Sequence, residues 1–280
     1  MDSEESTLSR PIAAPVAPPP APPPTPADYL APLEQLPPAP DAGRWPGARR
    51  ILRAVTLGLV EPSSAAAVEY ERQLIARVRT RRPEPRTIAF LSGKGGVGVT
   101  TTVTGVALTL AMLRTDTAAL VSARHGSSSL GERLLGQPAP PVPAVADPDA
   151  GPPPLWVQDC LAVVDGGPWH TPIGRQPLLR LLDQLRGQHP LTLVDVGNDL
   201  SESAQAAVER ADQIVLVTSA SYDGIIAART ALSRVHDVDP FRLATVVIAV
   251  VCPSRRQFRR VEDQLREVAG ASGHRIVPLR

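Results

Sequence analysis

From residue 86 onward the chain alternates short, continuous apolar runs with longer stretches of helical periodicity, and this alternation limits its fold more than any other feature. The runs "TIAFLSG", "TAALVSA", "CLAVVDGG", "LTLVDVG", "QIVLVTS", "LATVVIAVVC" and "RIVPL" read as strands. Between them lie "VTTTVTGVALTLAML", "PLLRLLDQLRG", "SESAQAAVERA", "SYDGIIAARTALSRV" and "SRRQFRRVEDQLREVAG", which read as helices. Strands that are apolar throughout need cover on both faces, so the pattern predicts a mostly parallel sheet with helices on both sides. Right-handed crossovers make this a doubly wound α/β domain over residues 86–280. Ligands in such sheets sit at the carboxyl ends of the strands.

The first strand-to-helix junction is the candidate site. It reads "GKGGVGVTTT", from Gly93 to Thr102. A glycine-rich turn opening a helix aims backbone N–H groups at one point, and the helix dipole favours an anion there. Gly93, Lys94, Gly95, Gly96, Val97, Gly98, Val99, Thr100 and Thr101 are therefore the expected phosphate-binding residues, with the Thr100 hydroxyl placed for Mg²⁺. Val99 stands where phosphate loops of this kind carry a lysine. A lost hydrogen bond to a charged group is worth about 1.5–3 kcal/mol, or roughly ten- to a hundred-fold in affinity. Turnover suffers more, because charge on a transferring phosphoryl group must be neutralised.

Composition sharpens the point. The chain has 28 arginines and one lysine, Lys94, which lies inside the loop. A compact ammonium packed against phosphates is not interchangeable with a planar guanidinium.

The motif "GKGGVGxTT" after a strand resembles the deviant phosphate loop of the MinD/ParA superfamily, written KGGxxGKT/S. The resemblance covers residues 86–280 and implies a P-loop NTPase type of fold, with ATP or ADP and Mg²⁺ as cofactors. It implies that Lys94 is the signature lysine, which reaches the phosphates of a partner in a nucleotide-sandwich homodimer. Asp195, closing "LTLVD", then matches the Walker B aspartate near Mg²⁺. Lys94 and Asp195 are thus the catalytic candidates, and Thr100 and Asp195 the metal candidates. The departures point one way. Ser122 and Arg124 stand where the family's second strand ends in carboxylates, Val99 replaces the second lysine, and Ala249 takes the place of the asparagine that reads adenine. A narrower likeness lies in "LGLVEPSSAAAVEYERQLIARVR" and "SYDGIIAA". With the Pro-rich N-terminus, it is similar to MinD-like proteins associated with actinobacterial type VII (ESX) secretion.

Residues 1–43 form an acidic Pro/Ala-rich tail, with six acids against Arg10 and thirteen prolines between residues 11 and 40. Such a stretch is expected to be disordered or extended. Residues 44–85 are a basic helical segment in two pieces, one bearing Trp45, Ile51, Leu52 and Val55 and the other Val68, Leu74, Ile75 and Val78. Ser63 or Ser64 is the expected N-cap between them. Tail and basic segment are the expected docking sites for a protein partner. Cys160 and Cys252 lack metal spacing and are expected to be buried free thiols. The five histidines share no spacing, Ser201 and Ser203 are expected to cap a helix, and Asp165 is expected to serve a strand-end turn. The acidic N-terminus lacks a signal-peptide core, and no apolar run has the ~18 residues of a membrane span. The expected location is therefore cytoplasmic, with peripheral contact at the inner face of the membrane left open. The chain stops at "IVPLR", without MinD's membrane helix.

Three functional readings follow. The first is a degenerate site on a regulatory or adaptor protein. The second is an active dimerising ATPase switch using Lys94. The third is a DNA-binding partition protein. The last is disfavoured, because Glu262, Asp263 and Glu267 follow closely on Arg255, Arg256, Arg259 and Arg260.

Overall fold

The computed structural model of the chain describes residues 65–81, 83–124, 130–147, 151–167, 173–198, 201–269 and 274–279. The Pro-rich tail, the Trp45-bearing helical piece and the Ser63/Ser64 cap lie outside the described residues.

Eight strands form one sheet: β1 (Arg86–Leu91), β2 (Ala118–Ser122), β3 (Leu155–Val157), β4 (Leu161–Val164), β5 (Leu191–Gly197), β6 (Gln213–Ser219), β7 (Val246–Val251) and β8 (Arg275–Leu279). Their order is β3-β4-β2-β5-β1-β6-β7-β8. All neighbours are parallel except β3 and β4. The helices are α1 (Ala65–Arg79), α2 (Val99–Leu113), α3 (Leu130–Leu135), α4 (Val142–Val145), α5 (Arg175–Gln188), α6 (Glu202–Arg210), α7 (Tyr222–Val238) and α8 (Arg255–Ala269), with a 3₁₀ turn at Pro240–Thr245. This is the doubly wound α/β architecture that the apolar runs require. Every residue of β2, β4 and β5 is buried, as two-sided cover demands.

Alternation along the strands sorts side chains between two cores. On β5, Leu191 and Leu193 join the cluster that holds Phe90, Val99 and Val103, while Val194 and Val196 join the opposite one. The opposite core takes the stripe Leu178, Leu181, Leu182 and Leu185 of α5, spaced as one helical face. The period of two therefore turns Asp195 toward the face covered by α2. β1 and β5 run in register to Phe90↔Asp195 and then slip, so that Leu91 pairs with Gly197. The slip brings the Ser92 amide to the Gly197 carbonyl at 2.7 Å.

The structure departs from the sequence reading in three places. The stretch "QPAPPVPAVADPDAGPPP", read as a loop, contains the short helix α4, and α3 precedes it. β3, not expected, forms a hairpin with β4 through Gln158 and Asp159, both in the left-handed region at φ 48° and 55°. Cys160, expected to be buried, sits partly exposed at this turn, while Cys252 is buried. Burial, chiefly, and the Asp159 charge raise the Cys160 thiol above its ordinary range.

Asp165 does more than serve a turn. Its buried carboxylate accepts N–H groups from Leu130 (2.5 Å), Gly131 (3.3 Å) and Ala139 (2.7 Å), folding the α3 segment onto the end of β4. Arg114, buried, makes a bidentate pair with Asp116 at 2.6 Å for each bond and donates to the Val78 carbonyl at 2.5 Å. That pair ties α1 to the end of α2. Bidentate charge-assisted geometry of this kind is among the stronger polar contacts a fold can make.

His189 is buried, bonded through Nδ1 to Thr117 Oγ1 at 2.8 Å, and its Nε2 has no partner. Burial lowers its pKa from 6.5, and burial does the same to His274. A depressed histidine contributes stability above its unfolded pKa that is lost as pH falls through the folded one. Urea midpoints are accordingly expected to drop as pH is lowered below 6.5, and His189→Gln to flatten that drop. An unchanged slope in the variant would rule out His189 as a source.

Candidate functional site

The loop joins β1 to α2 at the carboxyl edge of the sheet. Gly96 and Gly98 adopt positive φ, 78° and 93°, where a Cβ would be strained, and Gly98 is the residue before α2. Gly93 is needed for a different reason: a Cβ there would lie 1.8 Å from the Ala227 carbonyl oxygen, so the loop is pressed against α7. Ser92 Oγ donates to the Lys94 carbonyl at 2.8 Å, which fixes the first turn. Lys94 is half-buried and Thr101 exposed. Val97 and Val99 are buried, at 6% and 7% exposure, in the apolar cluster under α2.

Thr100 and Asp195 are brought together. Thr100 Oγ1 donates to Asp195 Oδ2 at 2.6 Å, across 95 residues of sequence. Asp195 is only 1% exposed, and its Oδ1 makes no hydrogen bond. Burial is the chief influence and raises its pKa, against the Thr100 hydrogen bond, the Arg124 charge and the Gly197 amide, which favour the anion.

Arg124 completes the site. Sequence reading noted it only as a missing carboxylate. Ser122 pairs with Asp195 across β2 and β5, so the chain leaving β2 passes over the end of β5. Arg124 Nη1 lies 3.4 Å from Thr100 Oγ1. Its side chain rests on Gly197, where a Cβ would come within 2.5 Å of Cδ and 2.6 Å of Nε. Its carbonyl rests on Gly166, where a Cβ would lie 1.5 Å from that oxygen. Gly197 therefore leaves room for the arginine side chain and Gly166 for the backbone at residue 124, a signal that motif matching does not carry.

A divalent cation here would draw on Thr100 and Asp195, the pair expected to hold Mg²⁺. The Thr100 proton is given to Asp195, and a lone pair of the same hydroxyl faces the Arg124 guanidinium. Ser122 and Arg124 offer no carboxylate. With Arg124 so placed, this set does not suit Mg²⁺, which demands near-octahedral oxygen ligation. Among the described residues no cluster of three or more His, Cys, Asp or Glu could hold a metal.

Other expectations fall as follows. Ala249 lies inside β7, paired with Val217 and Val277 and buried, so it is not at the strand end where a base would be read. Ser201 caps α6, accepting from the Ala204 amide, and buried Ser203 donates to the Ala123 carbonyl at 2.9 Å. On α8, Arg256, Arg259 and Arg260 are exposed, while Arg266 pairs with Glu262 at 2.6 Å. A pocket of about 450 Å³ opens at the same edge of the sheet, lined by Ser221, Tyr222, Ser254, Arg256 and Arg260 among others. No described helix is long and apolar enough to cross a membrane.

No family model and no curated protein matches the chain. Solved structures do. A ParA family ATPase from Chlorobium tepidum TLS aligns with a TM-score of 0.58 at 16% identity, over 70% of this chain and 83% of that one. The MinC:MinD cell division protein complex of Aquifex aeolicus gives 0.54 at 17%, over 70% and 82%. A putative plasmid partition protein from Borrelia burgdorferi, bound to AMPPNP, gives 0.55 at 15%, over 70% and 86%. At these identities the likeness establishes the fold, an α/β P-loop fold of the MinD/ParA type.

Because burial raises the Asp195 pKa, ionising this carboxyl costs more in the folded chain than in the unfolded one, and stability is lost as pH rises from 3.8 through the raised value. Asp195→Asn keeps an acceptor for Thr100 without the charge. It is expected to raise the urea midpoint at pH 7; a lower midpoint would mean that the carboxylate charge holds the site together.

Proposed function

We propose that this chain is a MinD/ParA-like P-loop protein with a degenerate nucleotide site. It holds ATP or ADP weakly through the loop amides and Lys94, hydrolyses ATP little or not at all, and serves as a regulatory or adaptor component. It acts through a protein partner, and we read its setting, from the narrower sequence likeness, as type VII secretion. The observation that carries this reading is Val99. Its side chain packs in the apolar cluster with Phe90, Val97, Val103 and Val217, so the position that would supply an ammonium has joined the core. Ser122 and Arg124 support it, since neither can orient a water as a carboxylate would.

The alternative is an ATP-dependent dimerising switch that uses Lys94 alone. In its favour, Lys94 is only half-buried, and its ammonium makes no hydrogen bond or ion pair among the described residues.

An ATPase assay separates the two. Wild-type turnover is expected to match a Lys94→Ala control, whereas hydrolysis that depends on Lys94 would move the assignment to the switch. In ADP titrations, Val99→Lys, checked for folding by circular dichroism, is expected to bind about ten- to a hundred-fold more tightly than wild type. Equal affinity would count against the missing ammonium as the cause of weak binding.

A further inference from the structure

We infer that Arg124 is a built-in substitute for the divalent cation, so that the loop takes a diphosphate-bearing anion in its metal-free form with Arg124 as counter-cation. This rests on the reading that phosphates enter at the loop, and it adds how their charge is met. Three observations converge on the guanidinium. It faces the Thr100 hydroxyl at 3.4 Å, the oxygen a metal would otherwise use. It stands beside a carboxylate that is 1% exposed and whose Oδ1 makes no hydrogen bond, a buried oxygen that calls for a neighbouring positive charge. The Arg124 side chain also has a place made for it: a Cβ on Gly197, which is at φ 67°, would come within 2.6 Å of Arg124 Nε and 3.1 Å of Cζ.

The chemistry suits the exchange. A guanidinium presents a planar fork of N–H donors that fits phosphate oxygens bidentately, and it keeps its charge at any accessible pH. One nitrogen is engaged with Thr100, which leaves the others for a ligand. Lys94, within the loop, supplies the second positive charge. The amides ahead of α2 supply the rest, as they do for any anion at a helix N-terminus. Mg²⁺ brought to the same hydroxyl would meet a positive charge already there, and binding would have to expel the Arg124 side chain from its seat over Gly197.

The test is calorimetric titration of the full chain with ADP, and separately with inorganic pyrophosphate, in EDTA and in excess magnesium. Wild-type affinity is expected to agree within about twofold between the two buffers, and Arg124→Gln to weaken binding in EDTA by at least about tenfold and to recover with magnesium. Wild-type binding that tightens by about tenfold or more with magnesium overturns the inference and leaves the nucleotide reading intact. Equal binding by wild type and Arg124→Gln in EDTA overturns it too. If neither ligand binds in either buffer, the inference is overturned together with the weak nucleotide binding proposed above, an outcome distinct from the magnesium-dependent one. The wild-type comparison requires no variant, so a poorly folding Arg124→Gln protein does not remove the test.

Discussion

A carboxylate buried at the end of a central strand has to be answered by hydrogen bonds or by charge, and the arrangement around Asp195 follows from that requirement. The period-two alternation of β5 turns Asp195 to the side where α2 begins. Thr100, in the first turn of α2, is the hydroxyl that answers one carboxylate oxygen. Arg124 answers the charge, and Gly197 is left without a side chain so that it can do so. Loop, helix start and two strand ends are thereby fixed against one another by a single buried group. The slip in register between β1 and β5 falls just beyond that group, where Leu91 pairs with Gly197 and the Ser92 amide reaches the Gly197 carbonyl.

The geometry of a phosphate loop and its electrostatics are separable, and on the function proposed above this chain separates them. Glycine conformations, the amides at the start of α2 and the Thr100–Asp195 bond depend on backbone shape and local polarity. The lysine and the metal depend on charge. Here the shape is intact, whereas the charge has been redistributed. Val99 has become part of the hydrophobic layer, and the cation nearest the aspartate comes from the end of β2. A site of this kind can recognise an anion without being equipped to transfer a phosphoryl group, because recognition is satisfied by oriented amides and transfer is not.

Much of the architecture was legible from the sequence because a parallel sheet leaves a strong mark. Seven of the eight strands coincide with apolar runs, and α2 spans the same residues as the stretch "VTTTVTGVALTLAML". β3 was hidden because its three residues carry too little pattern and its hairpin turns on left-handed Gln158 and Asp159, where glycine or asparagine would be the usual signal. α3 and α4 were hidden because they are held by Asp165, a contact between distant residues that no local periodicity announces. In the site, Lys94, Thr100 and Asp195 were found from spacing. Arg124 was seen only as an absence, because its side chain is seated on Gly197 and against Thr100, both distant from it in sequence. Ala249 was misplaced by its register within β7, since a continuous apolar strand gives no internal marker of where it ends.

Restriction of lysine to the loop has a practical side. Apart from the N-terminus, Lys94 carries the chain's one primary amine, and it is half-buried in the turn held by Ser92. Amine-directed reagents thus meet one side chain in 280 residues. Once the N-terminal amine is accounted for, an acylating or fluorescent label would report on the loop, and protection of the Lys94 amine would register occupancy of the site directly, without engineering and without any need for turnover.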